Sequence, residues 1–240
     1  MTGALDGQRV LVLGGSGGIG LETARSARAE GAQVILTGRN EQRLAQAAAE
    51  VGAQSTATFD VNDPAALADF FGGLADPVDQ VMVTAGRPRY AALVDMTPEE
   101  VRDAVSEHLA VALEVARHVP THVRPGGSVI LMSGTGGRSP RAGSLVAAVT
   151  VSTPALAAGL ALELAPVRVN VIAPGFVDTP LSASLLGDDL DRRRDELRRT
   201  LPIRRVVGPR DVAALAVHLM INTALTGATY DIDGGQQLLA

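Results

Sequence analysis

Arg9-Val10-Leu11-Val12-Leu13-Gly14-Gly15-Ser16-Gly17-Gly18-Ile19-Gly20 is the stretch whose reading decides the fold. The apolar run from Arg9 to Gly15 predicts a strand buried on both faces, as in a parallel sheet. Ile19 to Glu30, apolar at Ile19, Ala24 and Ala27, predicts a helix closed by Gly31. A strand, a glycine turn and a helix in that order offer bare backbone amides and the positive end of a helix dipole to an anion. A dinucleotide pyrophosphate fits such a turn. The alternative is an ordinary Gly-rich connection, and the flanking strand and helix favour the cradle.

Outward from this unit the pattern repeats. QVILTGR, STATFD, QVMVTAG, SVILMS, VRVNVI and ATYDID read as six further strands. Between them lie an Ala-rich helix over Glu41 to Val51, a helix capped by Asn62-Asp63-Pro64, and one opened by Thr97 with Glu100 as its reciprocal partner and running to about His118. Pro125-Gly126-Gly127 predicts a turn into the fifth strand. An apolar helix ending near Leu164, a loop from Pro174 to about Leu190, an Arg-rich helix and a last helix over Asp211 to Ile221 complete the chain. Seven alternations predict an α/β fold: a Rossmann-like doubly wound sheet of seven parallel strands with helices on both faces. No linker or repeat interrupts it, so residues 1–240 form one domain. Its substrate pocket is expected in the loops after strands four to six, under a lid at 174–205.

Composition narrows the function. The 240 residues are 46% hydrophobic and carry a net charge of −5, which excludes a disordered chain and gives no positive field for nucleic acid. Absence of cysteine excludes a disulfide framework, a thiolate nucleophile and a zinc ribbon. His118 and His122 stand four apart with Pro120 between them and no further ligand cluster, so no metal is expected. No stretch reads as the roughly 18 apolar residues of a spanning segment, and Met1 to Arg9 lack a leader pattern. The expectation is a cytoplasmic protein without a membrane partner. All 21 Lys+Arg positions are arginine, and the two tyrosines are Tyr90 and Tyr230.

The second strand ends Leu36-Thr37-Gly38-Arg39-Asn40. An acid near this place would bond the adenosine ribose hydroxyls of NAD. Arg39 stands there instead, and a guanidinium pairs with a 2′-phosphate and stacks on adenine. NADP is therefore expected over NAD, with a solvated strand-end arginine as the alternative.

GGSGGIG (14–20), FDVND (59–63), TAG (84–86), RVNVIAPGFVDT (168–179) and DIDGG (231–235) stand in an order and spacing that resemble the short-chain dehydrogenase/reductase family over essentially the whole chain. The resemblance implies a cofactor site in which Gly14, Ser16, Gly18, Ile19 and Gly20 form the pyrophosphate turn. By the same resemblance Asp60 and Val61 meet the adenine, Ala85 and Gly86 flank the nicotinamide ribose, and Pro174, Gly175, Val177 and Thr179 hold the nicotinamide end. It also implies a small-molecule substrate and a homotetramer or homodimer built through helix–helix contacts. Leu13 stands where the family usually has threonine, and Val83-Thr84 replace an Asn-Asn pair, so other side chains are expected to hold the loop.

The family's catalytic set is a serine after strand five, a Tyr-x-x-x-Lys pair on the next helix, and an asparagine on the preceding long helix. The serine position falls on Ser133 or Gly134. The tyrosine and lysine positions fall on Val146 and Thr150, or in the other register on Ala147 and Val151, with Glu163 favouring the first. Neither register holds Tyr or Lys. An unperturbed phenol of pKa about 10 needs such tuning to work at neutral pH. Ser133 is the polar group left to hydrogen-bond a substrate carbonyl, or else a strand-end serine capping the glycine loop. The asparagine position falls near His108, which shares an apolar face with Val101, Ala104, Val105, Ala112 and Val115. It reads as a packed histidine or as a proton relay. Tyr90 is a candidate pocket wall, and Tyr230 a core or interface residue. Arg138 and Arg141 are either solvated or hold a substrate anion, and DRRRDELRR (191–199) resembles the family's lid helix. The expected function is NADP(H)-dependent reduction of a carbonyl or other activated C=X group at a non-standard site. The alternatives are a catalytically silent NADP-binding sensor or pseudoenzyme, and a non-redox lyase or isomerase.

Overall fold

A computed structural model describes residues 3–86, 88, 90–138 and 143–239, and its description of Glu107 and His108 stops at the backbone. Strands β1 (Arg9–Leu13), β2 (Gln33–Gly38), β3 (Ser55–Thr58), β4 (Val78–Val83), β5 (Val123–Met132), β6 (Arg168–Pro174) and β7 (Thr229–Ile232) form one sheet in the order β3-β2-β1-β4-β5-β6-β7. All neighbours run parallel. The direction of winding reverses between β1 and β4, which opens a crevice at the carboxyl ends of the strands.

Strand residues alternate between two cores. Leu11, Leu13, Ile35, Val81, Val83, Val129, Leu131, Val169 and Val171 pack with Leu67 and Phe71 of α3 (Pro64–Gly72), with α5 (Val111–His122), and with Ala157 and Leu160 of α6 (Ser144–Glu163). Val10, Val12, Val34, Leu36, Met82, Ile130 and Ile172 pack on the other face with α1 (Gly18–Ala29), α2 (Glu41–Val51) and α9 (Pro209–Ile221). Burial on both faces explains the near-continuous apolar strands of the sequence.

Local signals set the helix starts. Asn40 and Asp63 cap α2 and α3 through their side chains, and Thr97 with Glu100 closes a reciprocal box on α4 (Pro98–Val105). Three expectations need correction. Pro125-Gly126-Gly127 lies inside β5, where Gly126 at φ 82° accompanies a register shift against Val78 and Gln80, so it is a strand irregularity. The helix expected to end at His118 passes through a π-helical turn, Ser106–Ala110, and continues as α5 to His122 despite Pro120. The expected loop after Pro174 contains α7 (Pro180–Leu186), before α8 (Leu190–Thr200).

A fourth correction concerns α6. Its 20 residues reach a mean hydropathy of 1.9, so by length and composition it qualifies as a spanning helix. Here it lies on the sheet, burying Val149, Thr153, Ala157 and Leu160 at three- and four-residue steps. Val151 and Leu162 remain 59% and 83% exposed on its other sides.

Buried Arg168 at the start of β6 ties the far end of the fold together. Its guanidinium donates to the carbonyls of Leu219 (2.7 Å), Met220 (2.9 Å) and Asn222 (3.1 Å), capping the negative end of α9. Burial lowers its pKa from the usual arginine value.

Candidate active site

The turn after β1 works by exclusion. Gly14 and Gly15 donate to the Thr37 carbonyl at 3.2 and 2.9 Å, tying the turn to β2. A Cβ on Gly14, which has φ 95°, would stand 2.8 Å from the Ala85 nitrogen. One on Gly20 would stand 2.3 Å from the Gly14 carbonyl oxygen and 2.6 Å from Thr84 Oγ1. Both contacts are too close for any side chain, so α1 can begin this near β1 and β4 only with glycine. Thr84 Oγ1 lies 3.0 Å from the Leu13 carbonyl oxygen and 3.1 Å from that of Gly14, and braces the turn. The N-cap Gly17 has no capping side chain and the first turn of α1 carries no acid, so its leading amides face the crevice unscreened.

The remaining segments converge on this end of the sheet. Ser16 reaches Gly38, where a Cβ would meet its Oγ at 3.1 Å, and Thr179 lies 3.6 Å from a Cβ built on Gly18. The loops after β1, β2 and β6 are therefore in contact. Arg39 Nη1 is 3.6 Å from Asp60 Oδ2, and both side chains are substantially exposed. Asp60 Oδ1 accepts from the Asn62 backbone and side chain at 3.0 and 2.9 Å, which fixes the loop before buried Val61. Ala85 donates to the Leu13 carbonyl at 3.0 Å, and Gly86 adopts φ 136°.

After β6, Gly175 is confined by Asp233 and Gln236, and Phe176 donates to Gln236 Oε1 at 2.9 Å. Val177 bridges Val207, and Thr179 forms a reciprocal cap with Ser182 that starts α7. Asp178 takes a two-point bond from Arg194 at 2.7 and 2.9 Å, anchoring α8 beside the crevice. The mixed charge run of α8 is thus only partly a solvated face. Its other ion pairs, such as Arg193–Glu196 and Arg198–Asp195, are exposed pairs three residues apart.

Ser133 follows β5 as expected, but its hydroxyl points elsewhere. Ser133 Oγ donates to the Thr150 carbonyl on α6 at 2.9 Å. Pro154, four residues beyond Thr150, has no N–H to give that carbonyl, so the serine supplies the missing partner. The Thr150 hydroxyl bonds back to the Val146 and Ala147 carbonyls at 2.7 and 3.2 Å, and occupies the space a side chain at Gly137 would need. Arg138 is exposed as a solvated loop arginine would be, but its guanidinium is already engaged. It makes a two-point bond to Asp231 at 2.5 and 2.6 Å and reaches Gln237 at 2.7 Å. That hydrogen bond, opposed by partial burial, holds the Asp231 carboxyl below the usual carboxylate range.

Tyr90 is 65% exposed, and Tyr230 packs partly buried against the α9-side core. The backbone of His108 lies in the π-helical turn, while its side chain and Arg141 fall outside the described residues. Thr84, the Asp178–Arg194 pair and the Thr179–Ser182 cap were missed from sequence. Thr179-Pro180 with Ser182 was a readable helix-start signal.

The chain is similar to known proteins over nearly its whole length. A family profile described as Enoyl-(Acyl carrier protein) reductase matches residues 14–237. The chain is 28% identical to the short-chain dehydrogenase/reductase malC of Malbranchea aurantiaca, over 98% of this chain and 96% of the relative. It is 31% identical to the NADP-dependent (R)-specific alcohol dehydrogenase of Lentilactobacillus kefiri, over 98% of each. Among solved structures, BdcA in complex with NADPH superposes with a TM-score of 0.86 at 28% identity, covering 97% of this chain and 95% of that one.

Proposed function

Because the chain belongs to the short-chain dehydrogenase/reductase family, we propose that it is an NADPH-dependent oxidoreductase that reduces a carbonyl or other activated C=X group without the family's tyrosine–lysine pair. The observation that carries this reading is the braced glycine turn. Its amides lie at the sheet's winding reversal with no room for a side chain and no competing cap. Arg39 adds the charge that suits a 2′-phosphate.

When bound, the cofactor supplies hydride chemistry. The chain's own residues hold and orient it. Amides of Gly18, Ile19 and Gly20 receive the diphosphate, with Gly14 and Ser16 shaping the turn. Arg39 takes the 2′-phosphate, and Asp60 and Val61 border the adenine. Ala85 and Gly86 border the nicotinamide ribose, and Pro174, Gly175, Val177 and Thr179 hold the nicotinamide end. The pocket is formed by the loops after β4, β5 and β6 and covered by 174–205. Ser133 positions α6 against the end of β5 through the Thr150 carbonyl, and where a proton is to be moved His108 is the titratable side chain for it.

We also propose that a second copy covers the apolar sides of α4, α5 and α6. Val105, Leu113, Val151 and Leu162 are among the large apolar side chains left exposed, and they lie on these three helices. Light scattering is expected to give a dimer or tetramer.

NADPH oxidation against a panel of ketones, quinones and imines tests the reading. Turnover with any of them supports it. Tight NADP binding without turnover across the panel points to a silent sensor, and product formation without cofactor oxidation points to a lyase or isomerase.

A further inference from the structure

A carbonyl that gains a hydride at carbon carries its charge on oxygen and needs a proton there. Between Ser133 and Leu162 the wall formed by the end of β5 and by α6 has no acid to give; Glu163 closes α6 at its far end, and His108 belongs to the π-helical turn that packs against α6. From Ser133 to Leu162 the sequence holds no Asp, Glu, His, Cys, Tyr or Lys. The only ionisable side chains in that stretch of sequence are Arg138 and Arg141, and guanidinium does not deprotonate at working pH. Two hydroxyls of that wall are committed to backbone. Ser133 donates to Thr150 at 2.9 Å, and Thr150 donates to Val146 at 2.7 Å. The first bond is held in place by Pro154, because turning the serine toward a substrate would strand a carbonyl that has no helical partner. On this wall, Val146 and Thr150 occupy the places where a tyrosine and a lysine would stand in the favoured register.

On the reading that the protein is an NADPH-dependent reductase, we propose that its acceptor is a cationic C=N group, an iminium borne on an apolar body, rather than a neutral ketone. The step balances without a proton. A C–H bond forms at the iminium carbon with the electron pair of the hydride drawn from the reduced nicotinamide. The C=N π bond breaks and its pair becomes the nitrogen lone pair. The iminium is reduced to a neutral amine, the nicotinamide is oxidised, and no proton enters or leaves. The apolar body follows from the loops at this end of the sheet. Tyr90, Leu93 and Val94 after β4, and Leu181 and Leu185 on α7, are all exposed there.

The test compares N-methyl-3,4-dihydroisoquinolinium with its near-isosteric ketone 1-tetralone and with 1,4-naphthoquinone, using the full chain and following NADPH oxidation. The iminium is expected to react with kcat/KM about 100-fold or more above the ketone, the lower end of what a general acid contributes. Its rate is expected to be flat between about pH 6 and 9, with a solvent deuterium effect near one. A ketone or quinone reduced as fast as the iminium, or an iminium rate with a titrating limb, overturns the proposal. Binding is read apart from turnover by calorimetry on the NADP⁺-loaded protein, which cannot reduce. The iminium is expected to bind, and no binding overturns the proposal. NADPH bound with the iminium left unreduced sinks this inference alone, whereas no NADPH binding sinks it together with the reading on which it rests.

Discussion

Replacing Ser133 with alanine distinguishes a substrate contact from a structural tie. The Ser133 hydroxyl donates to the Thr150 carbonyl at 2.9 Å, a carbonyl deprived of its helical donor by Pro154. Ser133→Ala leaves that partly buried acceptor unpaired, at a cost of about 1–2 kcal/mol. For a chain of this size that lowers Tm by roughly 2–4 °C per kcal/mol. Pro154→Ala restores an N–H four residues after Thr150 and re-forms the helical bond. In the Pro154→Ala background the same Ser133→Ala change should cost only a few tenths of a kcal/mol, a coupling of about 1 kcal/mol. Urea denaturation of the four proteins of the cycle measures it. Strict additivity would refute the reasoning. So would a loss of turnover of about 100-fold or more for Ser133→Ala that is equal in both backgrounds, since that would place the hydroxyl on the substrate.

Other outcomes follow from individual contacts. Arg39→Ala is expected to weaken NADPH by about 10- to 100-fold, the worth of one charge-assisted phosphate contact, and to weaken NADH far less, by the loss of adenine stacking alone. Paired titrations check it. Arg168→Met strands several carbonyls at the end of α9 and should cost about 3 kcal/mol by denaturation, although the residue is remote from the crevice. The Arg138–Asp231 pair gives a pH dependence with a definite sign. The carboxyl is depressed in the folded state, so its stabilisation is present above the unfolded value of about 3.9 and is lost as pH falls through the lower folded value. The Tm difference between the protein and Arg138→Gln is therefore expected to be full at about pH 6 and to shrink below about pH 4. Solvent screening at this partly exposed pair keeps the difference small.

The order of strands and helices was legible because burial on both faces leaves continuous apolar runs, as in Val10 to Leu13 and Val129 to Leu131. The glycine turn was legible because Gly14 and Gly20 are dictated by backbone contacts rather than by a partner elsewhere. What escaped depends on pairs distant in sequence. The hydroxyl of Thr84 acts on carbonyls about 70 residues earlier. Asp178 finds Arg194 only once α8 has folded back. Ser133 read as either a substrate contact or a cap on the glycine loop, and its bond to the carbonyl released by Pro154 joins residues 17 apart that no local pattern connects. Pro125-Gly126-Gly127 misled for a different reason: turn-forming residues also serve a strand irregularity.

Calorimetric titration of the protein and of its Gly20→Ala variant with NADPH and NADH tests most directly whether the turn after β1 holds a nicotinamide dinucleotide. The protein should bind NADPH with a Kd on the order of micromolar and NADH at least about tenfold more weakly. Gly20→Ala drives a Cβ to 2.3 Å from the Gly14 carbonyl oxygen and should remove most of that affinity while the circular dichroism spectrum is kept. No heat with either nucleotide, or an unchanged affinity in the variant, would contradict the account.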